Sequence, residues 1–134
     1  MLKILKLSKK DTFYDLGCGD AQLLLEASPK VKKAIGIEID PLRFLIAKVR
    51  TRKVKNVEVI FGNLFSFKLR NKINQDKKNK VKIAVFLSQE ANQKLAKKLK
   101  RENFHGLLAS YKWPLPLKQE SYDKKNDIFL YKFL

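Results

Sequence analysis

Residues 13–20 read Phe13-Tyr14-Asp15-Leu16-Gly17-Cys18-Gly19-Asp20, an apolar strand pattern that runs into an acid and two closely spaced glycines. Because glycine has no Cβ, a sharp turn from strand to helix can form here and a ligand can approach the backbone. The helix that follows begins with free N–H groups. Residues 17–20, called the glycine loop below, therefore predict an α/β fold with a cofactor site where the first strand ends.

The residues around the two glycines indicate the kind of cofactor. A dinucleotide fingerprint reads GxGxxG, but Gln22 stands where its third glycine belongs, and Asp15 lies shortly before Gly17. An acid at this position suits a cofactor with a cationic amino-acid end. Cys18 is the only cysteine and is expected to be buried in the loop, which fits a reducing compartment and argues against a cysteine nucleophile.

Two further polar residues follow the next two predicted strands. Glu38 comes about 20 residues after the glycine loop, where a carboxylate can reach the ribose hydroxyls of a ligand. Ile39 is then expected to pack against an adenine face. Asn63, followed by Leu64, can give and accept hydrogen bonds at the adenine edge, although a turn-forming role for this amide is the alternative. Because parallel strands end at one edge of a sheet, these residues predict a single site.

The alternation of apolar runs with helical stretches predicts the fold. Residues 121–126 read as a polar turn, and the run after them suits an antiparallel final strand. We predict a single domain over residues 1–134, a Rossmann-like three-layer α/β sandwich whose sheet is mainly parallel with an antiparallel C-terminal strand. The predicted strands are residues 12–16, 33–39, 57–61, 81–87, 107–111 and 127–134.

Helices are predicted between these strands, from apolar residues at helical spacing. A first helix is predicted at 21–27, and a second begins with Asp40 as N-cap and Pro41 at its first position. Leu42, Leu45, Ile46 and Val49 repeat at helical intervals within it. A third helix is predicted at 91–99, with leucines inward and the lysines outward, Lys98 among them. Residues 68–80 are polar and read as a loop.

The charge of the chain points to acidic partners. Its 30 Lys and Arg residues against 13 Asp and Glu give a formal net charge of +17, for which nucleic acid is the obvious partner. Only five of the cations are arginine, so the forked donor preferred for phosphate contacts is scarce. The lysines are spread in ones and twos, a habit also found on thermophile surfaces.

Several function classes are excluded at this level. No apolar run approaches the roughly 20 residues of a membrane span, and the N-terminus lacks the pattern of a signal peptide. We expect a cytoplasmic monomer with no membrane partner. His105 is the only histidine, so no metal site is predicted.

These motifs resemble the class I S-adenosylmethionine (SAM)-dependent methyltransferases. In that group the acid and the glycine loop receive the methionine portion of the cofactor. The resemblance therefore implies SAM as cofactor, bound by Asp15, Gly17, Cys18, Gly19, Glu38, Ile39, Asn63 and Leu64.

A closer resemblance concerns the acceptor. Residues 14–20, Glu38, Gly62-Asn63 and the end of the fourth strand are similar to the compact archaeal protein lysine methyltransferases and their mitochondrial eukaryotic relatives. This resemblance implies SAM-dependent methylation of lysine ε-amines on protein substrates with exposed lysines. Because alignment of the deprotonated amine in a dry pocket would supply the rate, no catalytic residue is assigned. The resemblance implies a substrate pocket formed by Leu87, Ser88, Gln89 and Trp113. Core packing is the alternative for Trp113.

Two other hypotheses stay open. Residues 85–90 contain no Asn-Pro-Pro, Asp-Pro-Pro or Pro-Cys motif, so the fourth strand favours no base-methylating class, but the positive charge keeps an RNA methyltransferase as an alternative. A non-catalytic binding module is the third hypothesis. It is consistent with Ala21 at the third glycine of the methyltransferase pattern and with a missing segment over the cofactor. Gln22, at the position of the usual arginine, is a further departure from that pattern. By the resemblance the domain is also N-terminally short, without the segment that helps to cover the cofactor.

Overall fold

Strands and helices alternate along the chain as the apolar runs predict. The computed structural model describes residues 1–66 and 80–133. The predicted loop at 68–80 lies outside the described residues except for Lys80, and so does Leu134 of the predicted last strand. The elements in chain order are α1 (Leu2–Leu5), β1 (Thr12–Leu16), α2 (Gln22–Ala27), a 3-10 turn (Ser28–Lys30), β2 (Lys33–Glu38), α3 (Pro41–Thr51), β3 (Val57–Phe61), β4 (Val81–Val85), α4 (Gln89–Arg101), β5 (Gly106–Tyr111), β6 (Ser121–Asp123) and β7 (Ile128–Phe133).

The strands form one sheet that confirms the predicted fold class. Within the described residues it has seven strands in the order β3-β2-β1-β4-β5-β7-β6. Strands β1 to β5 are parallel, and β7 runs antiparallel to both β5 and β6. One face of the sheet packs against α1, α2 and α3, and the other against α4, which gives three layers. The strand order reverses at β1, so its carboxyl end is where a ligand crevice is expected.

Two predictions about local structure are wrong. Residues 121–126 are not simply a turn, because Ser121–Asp123 form β6 on the outer edge of β7, where Tyr122 stacks on Phe129 at 4.4 Å between ring centroids. Lys98 does not point into solvent. It is buried in α4, and its Nζ donates to Glu102 Oε1 at 3.2 Å. A polar partner four residues later makes this burial tolerable.

Helix α3 exposes the apolar residues that identify it. Asp40 caps it as predicted, since its Oδ1 accepts from the N–H groups of Leu42 and Arg43 at 2.9 and 3.1 Å. The face that packs inward contains Ala47 and Thr51, both buried, and the half-buried Phe44. The opposite face is an apolar stripe that is 42–67% exposed, consisting of Leu42, Leu45, Ile46 and Val49. Helical spacing thus predicts the helix, but Phe44, Ala47 and Thr51 face the sheet and the apolar stripe faces solvent.

Within residues 1–66 and 80–133, no helix combines the length and the apolar character that crossing a bilayer requires.

Two substitutions test which face of α3 is buried. Leu45→Gln changes an exposed position, so we expect the free energy of unfolding to change by less than about 0.5 kcal/mol. Ala47→Leu overfills a closed space, and we expect a loss of about 1–3 kcal/mol. Urea unfolding of both variants measures the difference. Equal losses for the two variants would show that the stripe is covered in solution.

Candidate functional site

The glycine loop closes onto the neighbouring strand. Gly17 and Gly19 have φ angles of 88° and 57°, in the left-handed region that glycine adopts without steric cost. The N–H groups of Gly17 and Cys18 both donate to the carbonyl oxygen of Ile37 in β2, at 2.8 and 3.0 Å. The loop is therefore anchored to the sheet, and its backbone is presented at the carboxyl ends of β1 and β2.

Glu38 links three strand ends. Its side chain is buried, and Oε1 accepts from the N–H of Gly19 at 2.8 Å while Oε2 accepts from the N–H of Asp40 at 2.9 Å. Its carbonyl oxygen accepts from the N–H of Gly62, which follows β3, at 3.0 Å. Each carboxylate oxygen keeps a second lone pair. Glu38 can therefore hold the loop and still accept from the hydroxyls of a ligand.

Asp15 lies on the same face of the sheet as Glu38. It pairs in register with Gly36, two residues before Glu38, and is only 7% exposed. No described residue donates a hydrogen bond to its carboxyl group. Burial, and then the negative charge of Glu38, raise the pKa of Asp15 from 3.8 to about 7. A cationic group bound here would relieve both effects, so the pair fits a ligand with an ammonium group.

Cys18 is a packing residue of the loop. It is 6% exposed, and burial together with the charges of Asp15 and Glu38 raises the pKa of its thiol to about 12. Such a thiol is not a nucleophile at neutral pH.

Gly36 is a site-forming residue that the motif reasoning missed. A Cβ at this position would lie 2.5 Å from Leu24 Cδ1 and 2.7 Å from Cys18 Sγ. Only glycine lets the glycine loop and α2 approach β2 this closely. The sequence does carry a signal, since a lone glycine inside a strand pattern indicates a close approach.

Ala21, which replaces the third motif glycine, adopts the conformation of a glycine. Its φ is 72°, and it lies fully buried as the N-cap of α2. A left-handed conformation costs a residue with a Cβ roughly 1–2 kcal/mol. The turn is thus retained at an energetic cost.

The remaining predicted cofactor residues lie at the ends of β2 and β3. Ile39 is 58% exposed, so its side chain is available to a ligand face. Asn63 is exposed, and its Oδ1 accepts from the N–H of Phe65 at 2.9 Å, so it makes the turn that was the alternative interpretation. The Leu64 side chain is buried against the α4 side of the sheet.

The residues of the predicted substrate pocket are spread over the start of α4 and the end of β5. Leu87 lies beside the loop, 3.7 Å from where a Cβ of Gly17 would be. Ser88 caps α4 and accepts from the N–H of Ala91 at 3.2 Å, and Gln89 is exposed in its first turn. Trp113 is 37% exposed rather than a core residue.

A buried polar network holds the segment of Trp113. The carbonyl oxygen of Trp113 accepts from Ser110 Oγ at 2.6 Å and from Asn92 Nδ2 at 2.9 Å. Further on, the N–H of Leu115 donates to the hydroxyl of Tyr131 at 2.8 Å. The backbone of residues 113–115 is therefore fixed by side chains of α4, β5 and β7.

Among the described residues, no group of three or more His, Cys, Asp and Glu side chains is placed to hold a metal ion.

The fold and the strand-end site define a class of protein. A solved structure with this fold, an RNA methyltransferase from Salinibacter ruber in complex with S-adenosyl-L-homocysteine, matches 98% of this chain and 86% of that chain with a TM-score of 0.83 at 21% identity. The chain has the class I SAM-dependent methyltransferase fold.

Among curated proteins, the chain is similar to a protein-lysine N-methyltransferase from Saccharolobus islandicus (strain REY15A), with 33% identity over 107 residues, which is 76% of this chain and 62% of the relative. The predicted resemblance to archaeal protein lysine methyltransferases is confirmed. The chain is also similar to a probable ribosomal RNA small subunit methyltransferase A from Methanosarcina barkeri (strain Fusaro / DSM 804), 38% identical over 58 residues, 43% of this chain and 20% of that protein. The chain thus spans less than two thirds of the length of either relative. No protein-family model matches the sequence.

The raised pKa of Asp15 predicts how stability depends on pH without ligand. The unfolded chain loses this proton near pH 3.8 and the folded chain near 7, so ionisation lowers the free energy of unfolding across that window. We expect Asp15→Asn to raise the free energy of unfolding above about pH 7, by about 4 kcal/mol, and to change it little at the acidic end. Urea unfolding across this range measures the effect.

The matched control is Asp20→Asn, since Asp20 is an exposed carboxylate of the same loop that pairs with Arg50 at 2.8 Å. We expect Asp20→Asn to change the free energy of unfolding by less than about 1 kcal/mol. Equal pH profiles for the two variants would remove Asp15 as the source of the penalty.

Proposed function

We propose that the chain binds SAM across the carboxyl ends of β1, β2 and β3. The observation that carries this proposal is the buried Asp15 carboxyl, which has no described donor and lies beside the glycine loop. Asp15 would pair with the cofactor ammonium, and the N–H groups of the loop would face its carboxylate. Glu38 would accept from the ribose hydroxyls. Ile39 and Asn63 would meet the adenine.

We propose further that the chain is an N-methyltransferase. Bound SAM supplies a sulfonium methyl group, which a neutral amine nitrogen accepts as the carbon–sulfur bond breaks, leaving S-adenosylhomocysteine and a proton. The chain's own contribution would be alignment of the amine and exclusion of water. The fixed backbone around Trp113 and the cap at Ser88 suit this positioning role.

Protein lysine is the acceptor we propose. Support comes from the Saccharolobus relative, whose similarity extends over 76% of this chain, and from the absence of base-methylating motifs after β4. The protein would act on partners with exposed lysines.

An RNA acceptor is the second candidate. It is favoured by the net charge of +17 and by the RNA methyltransferase structure that matches 98% of the chain. The scarcity of arginine weighs against it.

Titration calorimetry with SAM tests the cofactor assignment. We expect Asp15→Asn to abolish measurable binding, because the amide leaves the ammonium without a counter-charge. Gly17→Arg should do the same by filling the site, and Asp20→Asn should bind like the wild type. Since only ionised Asp15 pairs with the cation, wild-type affinity should fall about tenfold per pH unit below pH 7. Unchanged affinity in Asp15→Asn would contradict the assignment.

The acceptor is identified with methyl-labelled SAM, bulk protein and bulk RNA. We expect label in protein, on lysine, and mass spectrometry after incubation with SAM should also find methyl groups on the chain's own lysines. If only RNA is labelled, RNA rather than protein lysine is the acceptor. SAM binding without transfer to either would indicate a binding module.

A further inference from the structure

Two aromatic side chains stand exposed where β4 and β5 end. Phe86 is 59% exposed and Tyr111 is 40% exposed. Their ring centroids are 4.9 Å apart, and the ring planes are tilted by 58°. Because these two large side chains touch each other and still face solvent, they leave an uncovered apolar surface that is available to a ligand at this edge of the sheet. We call these two residues the aromatic pair.

The strand register places the aromatic pair beside the cofactor residues. Ala84 in β4 pairs with Asp15 in β1, and Ala109 in β5 pairs with Ala84. Phe86 and Tyr111 come two residues after these alanines. Since side chains alternate along strands, the two rings lie on the same face of the sheet as the Asp15 carboxyl, one step further toward the carboxyl edge.

The backbone under the aromatic pair is fixed. The carbonyl oxygen of Tyr111 accepts from the N–H of Trp113 at 2.9 Å, and the N–H of Lys112 donates to the carbonyl oxygen of Asp127 at 2.7 Å. The first of these bonds closes a tight turn directly after Tyr111, and the second joins the end of β5 to the residue before β7. A ligand would therefore meet rings that are already in place.

We infer that the aromatic pair receives the alkyl chain and the amine of the acceptor lysine, an inference that rests on the proposed function. Rings tilted by 58° cannot both stack on one planar base, but both can face a cylindrical alkyl chain. The same apolar surroundings disfavour the charged form of the lysine amine and lower its pKa, which supplies the neutral nucleophile.

The charge of the chain indicates where such a lysine lies. A surface with a net charge of +17 attracts an acidic partner segment, so a lysine within such a segment is favoured. The probe is accordingly an acidic peptide with one lysine, paired with the same peptide carrying glutamine in its place.

Three variants test the inference. Phe86→Ala and Tyr111→Ala remove one ring each from exposed positions, and Phe86→Tyr keeps a ring. Tyr122→Ala is the matched control, because it removes an exposed tyrosine that stacks on Phe129 at the far edge of the sheet. Calorimetry measures binding of the two peptides and of SAM separately, and labelled SAM measures methyl transfer.

We expect Phe86→Ala and Tyr111→Ala to lower kcat/KM for the lysine peptide about tenfold each, with SAM affinity unchanged. The apparent pKa in the kcat profile should rise toward that of free lysine, which loss of structure alone would not cause. Phe86→Tyr, which keeps an aromatic ring, should retain most of the activity, and Tyr122→Ala should have the kcat/KM of the wild type.

The results separate this inference from the proposed function. Ring-dependent binding of the lysine peptide without methyl transfer would overturn the proposed function alone. If removing either ring leaves methyl transfer to the lysine peptide unchanged, the inference alone is overturned. The inference would also be overturned if the wild type did not distinguish the lysine peptide from the glutamine peptide and the ring-removing variants lost methyl transfer to RNA. That result would indicate that the rings stack on a base.

Discussion

Two carboxyl groups buried side by side, those of Asp15 and Glu38, are the constraint on which the rest of the structure depends. Glu38 is compensated by backbone donors, whereas Asp15 has none among the described residues, so its pKa rises to about 7. A chain selected only for stability would avoid such a pair, because an uncompensated buried acid costs free energy. Departures of this kind are expected at functional sites, where a ligand completes the electrostatics.

The glycine loop keeps this arrangement in place through its backbone rather than its side chains. Its N–H groups bond to Ile37 and Glu38, and the missing Cβ of Gly36 gives it room to approach β2. At Ala21 the contacts of the loop outweigh the conformational preference of the residue, because this alanine has a φ of 72°, in the region that favours glycine. The turn therefore follows from contacts made across the sheet as much as from its own residues.

Much of the fold could be predicted from the sequence, and the exceptions have physical reasons. The bounds of β1 and β3 are those predicted, because apolar runs flanked by polar turn residues mark both of their ends. Strand β6 has only three residues and no core contribution, so nothing separates its pattern from a turn. The burial of Lys98 depends on its partly buried partner Glu102, and the exposed stripe of α3 depends on which face of the helix meets β3.

The two halves of the candidate site differ in the same way. The predicted cofactor residues have a local pattern, because the two acids and the glycine loop lie at the ends of predicted strands. The aromatic pair has no local pattern, since Phe86 and Tyr111 meet at 4.9 Å only through the parallel pairing of β4 with β5. One fold serves several acceptors when its cofactor end is kept and these strand ends vary. We therefore expect acceptor choice in this chain to depend on the ends of β4 and β5, where sequence pattern alone is least informative.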